Sequence, residues 1–423
     1  MTKPTCVIVD AYSTGRYLPA AMAEYGFRSV HVRSSDAVSH YFAKAFPGED
    51  FEADFAHHAI EETVSALTPF APALVLAGSE PGVNLADHLA ARLGCPGNRA
   101  ETTDARRNKH AMAHALEAHG VRAIRHCLAQ SAEDVHAFRA GHGLVELVLK
   151  PVDSATTEDV YFCASDADIE RACSAIIGKR NIVGRVNTHV LAQERIRGRQ
   201  YTVNAVCLEG RPYVGEVWTY ETVDVPGAGS ICSHELLLDG TDPIVGELGE
   251  YLARVLQAVE LREGPAHAEI IIDEFGPVIV DLGARLQGFM SPRAHRAATG
   301  QNHITLTTMR YAAPERFRAY VTENEPYRRR GHALVVSLLS QESGRVTGLP
   351  GLDRIAALPT FVDAIGFVPE GSLIVPTRDL SSTPGLVYLM ADDEAALMAD
   401  YETIRAMSMR DIFGLVPDAE GSA

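Results

Sequence analysis

Residues 267–285 read His267-Ala-Glu269-Ile-Ile-Ile-Asp273-Glu-Phe-Gly-Pro277-Val-Ile-Val-Asp281-Leu-Gly-Ala-Arg285. Two β-rich runs flank Glu274-Phe275-Gly276-Pro277, the pattern of an antiparallel hairpin. With the turn centred near Phe275, Glu269 faces Asp281, Ile271 faces Ile279 and His267 faces Gly283. Side chains alternate between the two faces of a strand. Ile270, Ile272, Val278, Val280 and Leu282 are therefore expected to form a core face, and His267, Glu269, Asp281 and Arg285 the opposite one. Carboxylates directly across a strand pair sit ~4.5–5.5 Å apart at Cβ and repel. A hard cation offsets that repulsion, and Mg²⁺ favours one or two carboxylates together with substrate phosphates. The alternative is a solvated face on which Arg285 neutralises the pair; the pattern favours the metal.

Phosphates would need compact cationic donors beside the hairpin. Of the 38 basic residues only five are lysines, at positions 3, 44, 109, 150 and 179. Lys is a point-charge ammonium where Arg is a planar fork, so each lysine kept in this Arg-rich chain draws notice. Lys109 opens a predicted helix ending at Gly120, and Lys150 ends a predicted strand just before Pro151. The adjoining loop Asp153-Ser154-Ala155-Thr156-Thr157 is rich in hydroxyl and backbone donors. There is no Walker A motif, and Gly227-Ala-Gly229-Ser-Ile-Cys232 stops short of G-x-G-x-x-G. No Gly-x-Ser-x-Gly elbow supports a serine hydrolase. His110, His114 and His119 have helix-face spacing for a metal, but without the Glu of H-E-x-x-H they read as a polar helix face.

Farther out, apolar runs at 6–9, 30–32 and 73–77 alternate with helical patterns at 18–25 and 84–93, which predicts an open parallel α/β domain over residues 1–98. Strands at 144–149 and 160–163 and a helix at 168–177 follow. Pro326 to Gly331 marks a boundary, and 326–423 reads as a small α+β domain with strands near 333–339, 372–376 and 386–390. The fold class expected is thus α/β and α+β multidomain.

The 423 residues carry 38 Lys plus Arg against 55 Asp plus Glu, a net charge of −17. That argues against nucleic-acid or anionic-membrane partners, which need a basic face. No apolar run approaches the ~20 residues that span a bilayer, and the N-terminus lacks a signal-peptide pattern. Seven scattered cysteines without a C-x-x-C pair fit a reducing compartment. A cytoplasmic location is expected.

The ordered series Asn108-Lys109-His-Ala-Met112…Gly120, Leu149-Lys150-Pro151, Gln193-Glu194-Arg-Ile196-Arg-Gly198-Arg-Gln-Tyr201, His267-Ala-Glu269 and Asp281-Leu-Gly283-Ala-Arg285-Leu-Gln-Gly288 resembles the ATP-grasp ligases. It looks most like the carboxylate–amine ligases that join two L-amino acids, over about residues 1–320. The resemblance implies an ATP-grasp module at 99–325 with a mobile lid at about 122–192. It implies Lys109, Lys150 and Ser154 on ATP phosphates, Glu194 and Ile196 at the adenine, and Glu269 and Asp281 on Mg²⁺, with Mn²⁺ as a substitute ion. Arg285 and Lys150 would be catalytic, and His234, Arg285, Gly288 and Phe289 would meet the substrates. The partners implied are a small carboxylate and a small amine, with a homodimer admitted. Departures from the family pattern are a lid loop poor in glycine, Gln200 in place of an acidic residue, Asp281 in place of Glu, and Gly283 in place of a metal-binding Asn. Two further readings stay open: a phosphoryl-transfer enzyme without an amine acceptor, and a non-catalytic nucleotide-binding regulator.

Overall fold

The computed structural model describes residues 3–35, 46–154, 158–225 and 229–417. Two compact units divide the chain. The first takes Met1–Glu216, Thr241–Gly288 and His303–Tyr327, the second Val217–Gly240, Phe289–Asn302 and Arg328–Ala423.

Within the first unit, β1 (Thr5–Val9), β2 (Arg28–Arg33), β3 (Asp54–Ala56) and β4 (Pro72–Ala77) form a wholly parallel sheet in the order β3-β2-β1-β4. Every residue of β1 is buried, as expected of an inner parallel strand covered on both faces, which explains its unbroken apolar run. The short β3, Asp-Phe-Ala, carried no periodic signal. Helices α1 (Leu18–Ala23), α2 (Ile60–Leu67) and α3 (Val83–Leu93) alternate with the strands. After β4 the chain turns through Glu80–Gly82 into α3, which leaves Glu80 buried at the strand's end.

Helix α4 (Lys109–Ala118) is capped by Asn108, whose side chain accepts from the His110 and Ala111 amides. Then come β5 (His126–Ala129), β6 (Leu147–Pro151), β7 (Tyr161–Cys163) and β8 (Val190–Glu194), an antiparallel sheet in the order β5-β8-β6-β7. Strand β6 begins later than the sequence suggests. Arg139 reaches across to the Leu144 and Val145 carbonyls, and Val145 is exposed, so 144–146 stay outside the ladder. Helices Ala132–His142 and Asp166–Ile176 each start on a Ser/Asp capping box and cover the sheet with Val135, Phe138, Ile169 and Ile176.

The third sheet of this unit holds β9 (Arg199–Leu208), the start of β10 (Arg211–Val225), β12 (Gly264–Asp273) and β13 (Gly276–Gly283); β11 (Gly229–Leu236) falls in the second unit. The hairpin β12–β13 forms as expected at the site end: His267 opposes Gly283 and Glu269 opposes Asp281. Nearer the turn the register slips. Ile270 opposes Ile279 and Ile271 opposes Val278, not Ile279, because a bulge inserts Val280 between the two pairs. Val278 and Ile279 are consequently both buried, whereas Val280 and Ile272 are only partly so, which corrects the strict alternation expected from the sequence. Helix Pro243–Ala258 backs the hairpin, with Tyr251 Oη accepting from the Ile279 amide and donating to the Arg122 carbonyl.

The second unit is an antiparallel sheet in which the end of β10 pairs with β11, followed by β14 (His332–Ser337), β18 (Leu386–Ala391) and β16 (Phe361–Ile365). A two-stranded ribbon, β15 (Gly344–Arg345) with β17 (Leu373–Ile374), completes its strands. Leu334, Val336, Val387 and Leu389 pack under Leu397, Ile404 and Phe413. Strand β16 escaped the sequence pattern because Asp363 interrupts its apolar run; that carboxylate accepts from Ser291 Oγ. Among the described residues no helix is long and apolar enough to cross a membrane.

Candidate active site

The hairpin places Glu269 and Asp281 side by side, and three cations converge on them. Lys109 Nζ lies 3.0 Å from Asp281 Oδ2. Lys150 Nζ donates to the Val280 carbonyl at 3.2 Å. That oxygen belongs to the extra residue of the bulge, so the irregularity in the ladder supplies the acceptor that seats Lys150. Both lysines are buried, at 8% and 5% exposure. Such burial of an amine is rare without a purpose. The start of α4 positions Lys109, and the end of β6 positions Lys150.

The charges interact strongly. Burial and the neighbouring Lys109 push Lys150 down to about 8, against the pull of Asp281 and Glu269. Burial and the facing Asp281 push the Glu269 carboxyl up, although Lys150, Lys109 and Arg285 oppose the shift. Burial also acts to raise Asp281, but the cations, led by Lys109, outweigh it and hold its carboxyl below the usual range. Burial and charge thus push the two carboxyls in opposite directions. Their hard oxygen donors fit a divalent cation, and two ammonium groups stand ready for a polyanion.

Arg285 lies on the same surface but is not idle. Its Nε donates to Glu80 Oε2 at 2.6 Å, and its Nη1 to the Leu286 carbonyl at 3.0 Å. Glu80 in turn pairs with Arg107 at 3.3 Å, and Arg107 with Asp153, which also holds Arg185. A line of alternating charges therefore runs from Arg285 through the end of β4 to the loop after β6. Sequence reasoning missed Glu80, Arg107 and Asp153 as site residues. An acidic residue at the end of a parallel strand, where open α/β sheets hold ligands, was the available signal for Glu80. Gly283 permits the arrangement: a Cβ there would lie 2.9 Å from the Arg285 guanidinium carbon and 3.0 Å from Glu80 Oε2. A side chain at 283 would have to displace the ion pair. Gln200 also has a role: its Nε2 donates to Glu269 Oε2 at 3.2 Å, where a carboxylate would add a third negative charge. His267 is partly buried; desolvation, aided by Arg285 and His303, holds its imidazole well below the usual range, and its Nδ1 contacts Asn204 Oδ1 at 2.8 Å.

The remaining expected residues divide. Ser154 is buried, but its hydroxyl is turned to Glu158, and Ala155, Thr156 and Thr157 lie outside the described residues. Glu194 receives a two-pronged contact from Arg125 at 2.7 and 2.9 Å. The Glu194 and Arg195 amides are bonded to Arg125 and Glu146 carbonyls. Ile196 follows the end of β8 and lacks a backbone partner among the described residues. Gly288 closes the hairpin's trailing segment near Ser13 Oγ. His234 and Phe289 belong to the second unit. There His234 packs at a tilt on Tyr401 with ring centroids 4.7 Å apart, and the Phe289 carbonyl accepts from Tyr388 Oη at 2.8 Å.

The lysines give a first test. Replacing the compact ammonium by a planar fork should not be neutral in a buried seat. Lys109→Arg and Lys150→Arg are expected to weaken ATP binding at least tenfold, whereas Lys179→Arg, on an exposed residue, should bind as the parent does. Calorimetric titration with ATP measures all three, and equal tolerance would remove both lysines from the phosphate site.

The chain is similar to several known proteins. A sequence model of the ATP-grasp domain matches residues 144–293. Dapdiamide A synthase of Enterobacter agglomerans is 29% identical over 408 residues, covering 95% of either chain. Among solved structures, an L-amino acid ligase from Bacillus licheniformis superposes with a TM-score of 0.74 at 18% identity, over 96% of this chain and 98% of that one. The biotin carboxylase domain of a Hydrogenobacter thermophilus 2-oxoglutarate carboxylase, solved with MgADP, superposes at 0.64 with 14% identity, over 94% and 89%. Residues 144–293 thus form an ATP-grasp domain. The relatives support an ATP-dependent, ADP-forming carboxylate–amine ligase.

Proposed function

We propose that this chain joins the carboxylate of one amino acid to the amine of a second small molecule, with ATP converted to ADP and phosphate. The observation that carries this reading is the Glu269–Asp281 pair, partly exposed, between the buried Lys109 and Lys150, with Arg285 on the same surface. ATP would lie with its phosphates toward the two lysines and its base near Glu194 and Ile196. Glu269 and Asp281 would hold Mg²⁺, or Mn²⁺ in its place, and the ion would neutralise charge on the phosphates. The substrate carboxylate takes the γ-phosphoryl group, and the Lys150 ammonium balances the charge that develops. The amine then attacks the acyl phosphate, and Arg285 donates to the tetrahedral oxyanion. His234, Gly288 and Phe289 are assigned to the substrates on resemblance, as is the phosphate contact of Ser154.

The relatives named dapdiamide A synthase and L-amino acid ligase support the choice of an amino acid as the carboxylate. We further assign residues 1–98, 99–325 and 326–423 as the functional regions, place the protein in the cytoplasm on its seven free thiols, and admit a homodimer. The test is a pairwise matrix of amino acids assayed for phosphate release, with mass analysis of the products. An amide formed in step with ADP is expected. ADP release that ignores every amine would leave a phosphoryl-transfer enzyme instead.

A further inference from the structure

Outside this site, three imidazoles meet on one side of α4. His110 and His114 are one helical turn apart and His126 begins β5, and one ring nitrogen from each lies within 4.8 Å of the others. The rings are mutually edge-on, with centroids 4.4, 5.2 and 5.4 Å apart and interplanar angles of 71–78°. They surround a common point rather than stacking. His110 Nε2 and His114 Nε2 are 3.2 Å apart. Two nitrogens on a tetrahedral zinc, at ~2.0–2.1 Å each, stand about 3.3–3.4 Å apart.

The partners on the far sides of the rings set the tautomers. His126 Nδ1 is 3.2 Å from the Ile124 carbonyl, and His114 Nδ1 is 3.5 Å from Glu117 Oε2. Each contact favours a proton on Nδ1 and a lone pair on Nε2, the arrangement that carboxylates and carbonyls impose on metal-binding histidines. His110 Nδ1, on the far edge of its ring, is buried with no hydrogen-bond partner among the described residues, so no neighbour fixes the tautomer of this ring. Burial also holds His110 and His126 toward the neutral form that ligates. In the sequence His110 and His114 were grouped by spacing with His119 and read as a polar helix face; His119 Nδ1 is turned to the Ala115 carbonyl. The structure supplies His126 from a different element.

We infer that His110, His114 and His126 bind a borderline divalent transition cation, with Zn²⁺ the reference ion, at a site separate from the Glu269–Asp281 pair. Three imidazoles suit Zn²⁺, Ni²⁺ or Cu²⁺ and not Mg²⁺, and the fourth position is left to water. The ion would tie α4, whose first residue is Lys109, to β5 of the sheet that carries Lys150.

The full-length protein is stripped with EDTA, given excess Mg²⁺ to occupy the carboxylate pair, and titrated with Co²⁺. One equivalent should develop the intense visible absorption of four-coordinate cobalt, and Zn²⁺ should abolish it. His114→Ala and His126→Ala should each weaken binding by at least ~10–100-fold, the range seen when even the supporting shell of a site is lost. His119→Ala should bind as the parent does. His126→Gln serves where His126→Ala fails to fold. Zn²⁺ should raise the melting temperature of the parent and of His119→Ala only. The inference is overturned by weak octahedral-type absorption alone, by a band that survives in both His114→Ala and His126→Ala, or by a band lost only in Glu269→Gln. None of these readouts depends on ligase activity, so the failure of one reading leaves the other standing.

Discussion

Asp281→Asn should stop turnover while leaving the protein folded. The exchange keeps the size and hydrogen-bonding reach of the side chain but removes one of two facing carboxylates. It also takes from Lys109 its partner at 3.0 Å and from Lys150 one of the charges that keep it protonated. A bound cation supplies several kcal/mol of charge stabilisation, and each 1.36 kcal/mol is tenfold in rate, so a fall of about 10³-fold or more is expected. Phosphate release at saturating Mg²⁺ and ATP, beside a melting curve, is the measurement. A variant that keeps the parental rate and Mg²⁺ dependence would take Asp281 out of the metal site.

The second large effect concerns Arg285. Loss of one donor to an oxyanion typically costs ~10²–10³-fold in rate. Arg285→Ala is expected to lose amide formation by about that factor with ATP affinity little changed, since the phosphate-facing lysines are untouched. Glu80 still has Arg107 in this variant, so the fold should survive. Glu80→Gln makes a finer test. It should lower kcat less than Arg285→Ala does and leave the KM for ATP unchanged, because Glu80 acts on the reaction only by positioning the guanidinium. Product formation followed by mass spectrometry, with ATP binding by calorimetry, reads both variants. Amide made by Arg285→Ala at the parental rate would refute the oxyanion role.

Much of the site was legible because its signals are local. The Glu269–Asp281 pairing was read from a turn centred near Phe275; the turn itself pairs Asp273 with Gly276, and the bulge at Val280 restores the expected pairing at the site. The scarcity of lysine drew attention to Lys109 and Lys150. The N-terminal sheet was legible for a similar reason, since buried parallel strands leave unbroken apolar runs. What escaped depends on distant contacts. Glu80 meets Arg285 across 205 positions of sequence, and Asp153 meets Arg107 only after the sheet of β5–β8 has formed. His126 joins His110 and His114 from another element, whereas sequence spacing grouped those two with His119 along the helix. The register slip at Val280 was hidden too, because Val278, Ile279 and Val280 are equally apolar and nothing in their identity marks the one that bulges.

That bulge also changes what a substitution at position 280 can do. The side chain of Val280 is only partly buried, while its carbonyl holds Lys150. Exchange for another residue of β-type should therefore matter little. Deletion is different: with Val280 gone, Ile279 and Asp281 would still oppose Ile270 and Glu269, and the hairpin would become a regular ladder. The strand would then be one residue shorter, with no spare oxygen for the ammonium. Position 280 works as a spacer, so an aligned relative should be judged there by the presence of a residue rather than by its kind.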